Sequence, residues 1–449
     1  EMINSIGLQS KIKMDMTRGE VSDIISEWQK KEDERYNKKH NGDIPDNPDV
    51  TPGDKQKLST FEDEQLKLLE SSEIKAGCKE IANELLIGEK KITEIVTALA
   101  SGRHVLLAGP IGTGKTRLAQ LIPEIFWSKI GGYYAVDYTA TSDWTTQDVI
   151  GGLFPKMENG KVAYGIQNGC VVDTVSRNWE YGVDGGKRIK SKKPNKEPPY
   201  HGTWLIIDEF NRADIDKAFG QLFTSLRTRQ LKIPDMDESF KDLTIPKDFR
   251  IIGTLNTADK HFLFQLSDAL KSRFAYIELD IPKPNQKERE IYYAMNGAIK
   301  ELDLDKKIDG KLAYESYVTL DHGAKTVTTA KSDDGSNFRV RIVQAYNTLY
   351  TVRIFKKLGT AILKLIYQNF LVGRMMGISS LESLDNALTT NLIPQLENLS
   401  LPFIEAIEAF HSDNLIDFIK IKSKQRNRED YVETIQIIAK YLSENGLDQ

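Results

Sequence analysis

Five short apolar runs constrain this chain more than any other feature. They are "HVLLA" (104–108), "YYAVDY" (133–138), "TWLIID" (203–208), "RIIGT" (250–254) and "AYIEL" (275–279). A strand with one wet face alternates apolar and polar residues, whereas a strand buried on both faces reads as a near-continuous apolar run. Helical patterns such as "TRLAQLIPEIF" separate the runs. Buried strands alternating with helices predict a doubly wound α/β domain around a parallel sheet. After Pro282 the strands stop, and "FRVRIVQAYNTLYTVRIF", "GTAILKLIYQNFLVG", "PFIEAIEAF" and "DYVETIQIIAKYL" repeat apolar residues at three- and four-residue steps. The last third is therefore expected to be helical.

These changes of pattern divide the 449 residues into three parts. Residues 1–75 read as a charged segment, with a helical pattern over 9–38 and a proline-interrupted linker at "DIPDNPDVTPGDK" (43–55). Residues 76–282 hold the α/β pattern, and residues 283–449 the helical one. A net charge of −4, from 61 basic and 65 acidic residues, argues neither for nor against nucleic acid. Cys78 and Cys170 have no metal-ligand spacing and read as reduced thiols of an intracellular protein. No apolar run reaches 18 residues and the start is not signal-like, so a cytoplasmic protein without a membrane span is expected.

"GPIGTGKT" (109–116) follows the first run directly and opens a helix. It fits the phosphate-binding loop G-x-x-x-x-G-K-[ST]. Gly109, Gly112 and Gly114 let backbone N–H groups curl around phosphates, with Thr113 inside the loop. Lys115 brings charge to the β- and γ-phosphates, Thr116 a hydroxyl to magnesium, and the helix opening with Arg117 an N-terminus facing the anion. About 90 residues on, "LIIDEFNRAD" (205–214) ends an apolar strand in two carboxylates, at the edge where α/β sheets bind ligands. Burying them side by side is costly without partners. Magnesium for Asp208 and an attacking water for Glu209 are suitable ones. "RIIGTLNTADK" (250–260) ends its strand in polar residues rather than a hairpin turn. If that strand lies between the phosphate-loop strand and the Asp-Glu strand, Asn256 aims its amide at the γ-phosphate and the lytic water.

Together these residues resemble the AAA+ family of ring-forming ATPases over roughly residues 85–350, and within it the MoxR, McrB and dynein-related branch. "IDEFNRA" is similar to that branch's "IDEINRA". The resemblance implies a P-loop core with sheet order 5-1-4-3-2, a helical lid and a helical C-terminal extension. It makes Lys115 and Thr116 Walker A, Asp208 and Glu209 Walker B, and Asn256 sensor 1. "LSDALKSRF" (266–274) is similar to the segment ending in the arginine finger, Arg273, which reaches a neighbour's nucleotide. "SNFRVRIVQAY" (336–346) resembles the lid helix carrying sensor 2; Arg339 and Arg341 both fit, and Arg339 is preferred. "LLIGEKKITEIVTAL" (85–99) is similar to the segment holding the base, with Ile87 and Gly88 nearest to it and Glu89 the neighbouring carboxylate. Residues 145–165 resemble the family's helix-2 insert and 229–249 the hairpin before sensor 1.

The resemblance implies ATP with Mg²⁺, a homo-oligomeric ring, most simply a hexamer, and a macromolecular client. It splits over function. MoxR-type proteins are ATP-driven remodelling chaperones, and McrB proteins are GTP-driven restriction motors. "IIGTLNTADK", "KAFGQL" (217–222) and "NLIPQL" (391–396) look McrB-like, yet residues 1–75 are too short and polar for a methylated-DNA reader. The remodelling ATPase is the expectation; the restriction motor and a nucleotide-gated scaffold with negligible turnover are the alternatives. In residues 187–196, six of ten are Lys or Arg. This reads as a solvated loop, or as a contact to nucleic acid or an acidic partner.

Overall fold

In the computed structural model the five apolar runs become the five strands of one parallel sheet. They are β1 (His104–Gly109), β2 (Tyr133–Thr139), β3 (Gly202–Asp208), β4 (Ile251–Asn256) and β5 (Phe274–Glu278), hydrogen-bonded in the order β5-β1-β4-β3-β2. The structure describes residues 65–158, 161–180, 187–188, 200–234, 240–256, 268–308, 311–329, 335–397 and 399–411, with residues 418, 434 and 436–438. The 9–38 helical pattern, the 43–55 linker, most of the basic run and most of "DYVETIQIIAKYL" lie outside the described residues.

Both faces of the sheet are covered, as the unbroken apolar runs require. Alternate residues of β1 feed opposite cores. Val105 and Leu107 join Ile92, Ile95 and Leu99 of helix α1 (Glu89–Ala100) and Leu118 and Ile122 of α2 (Lys115–Phe126). Leu106 and Ala108 join Phe219 and Leu222 of α3 (Ile215–Thr228), with Val171 and Val175. Among the described residues, no helix is long and apolar enough to cross a membrane.

A third core, with no part in the sheet, unites α4 (Lys287–Glu301), α5 (Gly335–Arg353), α6 (Thr360–Met375) and α7 (Ser380–Asn391). The expectation that strands stop after Pro282 needs correction. Short antiparallel pairs form at Lys307–Ile308 with Lys311–Leu312 and at Val318–Asp321 with Thr326–Thr329. The second pair buries Val318 and Val327 in the helical core. Its other residues are mostly polar, which hid it from a search for apolar runs. Upstream, a short helix (Thr146–Val149) leads into a hairpin of Gly151–Glu158 with Lys161–Asn168. A second hairpin, Gln230–Pro234 with Phe240–Thr244, precedes β4.

Candidate nucleotide site

Because the strands are parallel, the ends of β1, β3 and β4 converge on one edge of the sheet. A cleft of about 1110 Å³ opens there, lined by the 109–116 loop, the Asp-Glu pair, Asn256 and the first turns of α6. Gly112 and Gly114 hold φ of 80° and 85°, the left-handed region that a side chain disfavours. At Gly109 a Cβ would lie 2.4 Å from the Leu279 carbonyl oxygen, so glycine here also admits the chain leaving β5. Gly109 is not among the cleft-lining residues. Thr113 lines the cleft while its hydroxyl donates to the Pro110 carbonyl at 3.0 Å. Lys115 is buried, and its Nζ donates to the Gly109 and Pro110 carbonyls at 2.9 and 2.8 Å. Burial lowers its pKa to about 8, although Asp208 and Glu209 pull the other way.

The Thr116 hydroxyl donates to the Asp208 carboxylate at 2.8 Å. These two oxygens, meeting from α2 and β3, are hard donors of the kind that would suit a magnesium ion. Glu209 follows with φ of 52°, a strained backbone for a glutamate. Its carboxylate is ion-paired with Arg212 at 2.5 Å, but Arg212 is 60% exposed, so solvent screens the pair. Thr254 was missed from sequence. Its hydroxyl donates to Asp208 and accepts from the Glu209 amide at 3.1 Å, tying both carboxylate residues to the neighbouring strand. The signal was a lone hydroxyl inside the apolar run "IIGTL". Asn256 lies opposite Gly109 in the β1–β4 register, and β4 runs between β1 and β3.

Ile87 and Gly88 line the far end of the cleft with Tyr293, Ala294 and Gly297. Glu89 does not line the cleft; among the carboxylates that do are Glu84 and Glu301. Both are already engaged. Arg117 binds Glu84 in a two-pronged pair through Nε and Nη2, the Nη2 contact at 3.1 Å. Lys364 and Gln368 hold Glu301, Gln368 at 2.6 Å.

Arg273 and Arg339 stand apart from the cleft. Arg273 immediately precedes β5, whose first residue pairs with His104 at the start of β1. Burial, with the Arg250 and Arg273 charges nearby, pushes the His104 pKa down to about 3. His104 is thus neutral, and its Nδ1 accepts from the Ile251 amide at 3.0 Å. The five steps along β1 to Gly109 span about 17 Å at ~3.3 Å per residue. Arg273 therefore cannot reach the phosphate loop of its own chain. Arg339 donates to the Val327 carbonyl at 2.8 Å and lies 3.8 Å from Glu288, while Arg341 donates to Gln344 at 2.7 Å. The lid element at the cleft is instead the start of α6, with Thr360, Ala361 and Lys364.

Part of the chain is similar to known proteins. Residues 104–274 match the family model of the AAA domain, dynein-related subfamily. The type IV methyl-directed restriction enzyme EcoKMcrB subunit of Escherichia coli K12 is 27% identical over 218 residues, covering 46% of this chain and 42% of that protein. The chain thus spans less than half the length of this relative. A solved structure of a candidate ATPase from Cytophaga hutchinsonii aligns with 14% identity and a TM-score of 0.31, over 76% of this chain and 94% of that one.

Proposed function

We propose that this chain, whose residues 104–274 match the AAA domain of the dynein-related subfamily, is a ring-forming ATPase that uses magnesium-dependent hydrolysis to remodel a macromolecular partner. The observation that carries this is the separation of Arg273 from the phosphate loop, across the length of β1. An arginine finger placed so far from its own nucleotide serves the site of an adjacent copy. One chain then supplies Lys115, Thr116, Asp208, Glu209 and Asn256, and the next supplies Arg273. The α/β part, residues 76–282, carries the nucleotide, and the helical part, 283–449, closes over it.

Each residue has a task. Lys115 and the loop amides bind the phosphates. Thr116 and Asp208 would hold Mg²⁺, which supplies charge neutralisation on the phosphates. Glu209 accepts a proton from the attacking water, and Asn256 orients that water. The choice of ATP rests on the cleft lining beside Ile87 and Gly88. Guanine would bring N–H donors from N1 and N2, and the carboxylates Glu84 and Glu301 are already held by Arg117 and by Lys364 with Gln368. Leaving those donors unpaired costs about 1–3 kcal/mol, a factor of roughly five to 150 in affinity. A second reading, a GTP-using motor subunit of a restriction system, is favoured by the likeness to the Escherichia coli restriction subunit. Hydrolysis of ATP and GTP measured side by side with magnesium separates the two. Preference for ATP, lost in Lys115→Ala, is the expected result; preference for GTP puts the restriction motor first.

A further inference from the structure

Two loop carbonyls of the phosphate-binding segment take hydrogen bonds from the helical lid. The Gly359 amide donates to the Ile111 oxygen at 2.8 Å, and the Ala361 amide to the Gly112 oxygen at 3.0 Å. In a trans peptide the C=O and N–H point to opposite sides of the plane. Holding these two oxygens therefore turns the N–H groups of Gly112 and Thr113 away from the lid segment. Both residues line the cleft. Anion-binding loops work by aiming consecutive amides inward, so their carbonyls face outward and need donors of their own.

The lid segment that supplies these donors is itself pinned from below. Arg353, at the end of α5, and Glu290, on α4, form a two-pronged ion pair at 2.9 and 2.6 Å, with side chains only 2% and 0% exposed. Arg353 Nε also donates to the Leu358 carbonyl at 2.7 Å, and the Thr360 hydroxyl donates to Glu290 at 2.9 Å. The residues on either side of Gly359 are thus tied to one buried pair. Gly359 is packed so closely on the loop that a Cβ there would lie 2.1 Å from the Gly112 carbonyl carbon and 2.4 Å from the Thr113 nitrogen. Those are backbone atoms, with no side chain able to swing aside.

We propose that Gly359, Thr360 and Ala361 are positioning residues for phosphate binding: seated by the buried Glu290–Arg353 pair, they orient the Gly112 and Thr113 amides toward a nucleotide's phosphates. The inference rests on the reading that the 109–116 loop binds phosphates, and the test separates the two. The chain is titrated with magnesium–ADP and with adenosine, which shares the base and ribose but has no phosphate. Gly359→Ala is expected to weaken ADP about tenfold or more, the effect of misdirecting a hydrogen bond to an anion. Adenosine affinity stays within about twofold by the same scale. Thr360→Val, which keeps shape and loses only the bond to Glu290, gives a smaller loss of about threefold in ADP affinity, and carries the comparison if Gly359→Ala does not fold. Equal weakening of ADP and adenosine would mean general damage to the lid and overturn the proposal. So would unchanged ADP affinity in Gly359→Ala, or in Thr360→Val where only that variant folds, while Lys115→Ala loses ADP. If Lys115→Ala binds ADP as well as the unaltered chain, the phosphate-loop reading itself fails.

Discussion

Nucleotide binding should depend on pH through Lys115. Its ammonium is buried against the loop carbonyls, and burial lowers its pKa to about 8. The ordinary lysine value is about 10.4. A bound polyphosphate favours the charged form and returns the pKa toward or above that value. Free protein therefore takes up a proton on binding at alkaline pH. At pH 7 about nine-tenths of the free protein already carries the charge, and at pH 9 about one-tenth does, so the dissociation constant for magnesium–ADP should rise about tenfold between them. The phosphates do not confound this window, since their last ionisation lies near pH 6. Calorimetric titration at pH 7, 8 and 9 in buffers of differing ionisation heat reads both the affinity and the proton uptake. Lys115→Arg, charged throughout, should give a flat profile whatever its absolute affinity. The stability of the nucleotide-free chain moves the other way. The unfolded state binds more protons between pH 8 and 10.4, so this group adds stability as pH rises through that range. A wild-type affinity that is constant from pH 7 to 9, with no proton uptake, would refute the reasoning.

Other substitutions give distinct readouts. Glu209→Gln should bind nucleotide with near-normal affinity and hydrolyse it at least a hundredfold more slowly, as loss of a general base does; fast single-turnover hydrolysis would remove Glu209 from its role. Gly253→Ala places a Cβ 2.6 Å from Leu106 Cδ2 in the centre of the sheet, and should cost about 1–3 kcal/mol of stability by overpacking, read as a fall in denaturation midpoint. Replacing Lys190, Lys192, Lys193 and Lys196 with Gln should leave basal hydrolysis unchanged. If DNA affinity falls as well, with a salt slope flattened by about one unit per lost phosphate contact, the restriction reading gains.

The parallel core was legible because its signals are local. An unbroken apolar run means a strand covered on both faces, and "GPIGTGKT" states its turn and helix start within eight residues. The meeting of Lys115, Asp208 and Asn256 followed from placing β4 between β1 and β3, which is a statement about topology. What sequence did not reveal depends on contacts between distant segments. Thr254 matters because Asp208 lies beside it across the sheet. Glu84 and Glu301 reach the cleft from the segment before α1 and from the end of α4. The lid's approach through Gly359 rather than Arg339 depends on a buried pair between residues 63 positions apart. The 318–329 hairpin is short and mostly polar, so its strands escaped a search for apolar runs.

The central claim is that one active site is assembled from two chains, and mixing variants tests it most directly. Arg273→Ala and Glu209→Gln should each be nearly inactive alone, the first lacking the finger and the second the base. Mixed rings bring an intact Glu209 on one chain against an intact Arg273 on the next. ATP turnover per mole of protein, measured across mixing ratios in rings shown by mass to contain both chains, should rise to a maximum near equal proportions. Two silent parents whose mixed rings remain silent at every ratio would contradict the shared site.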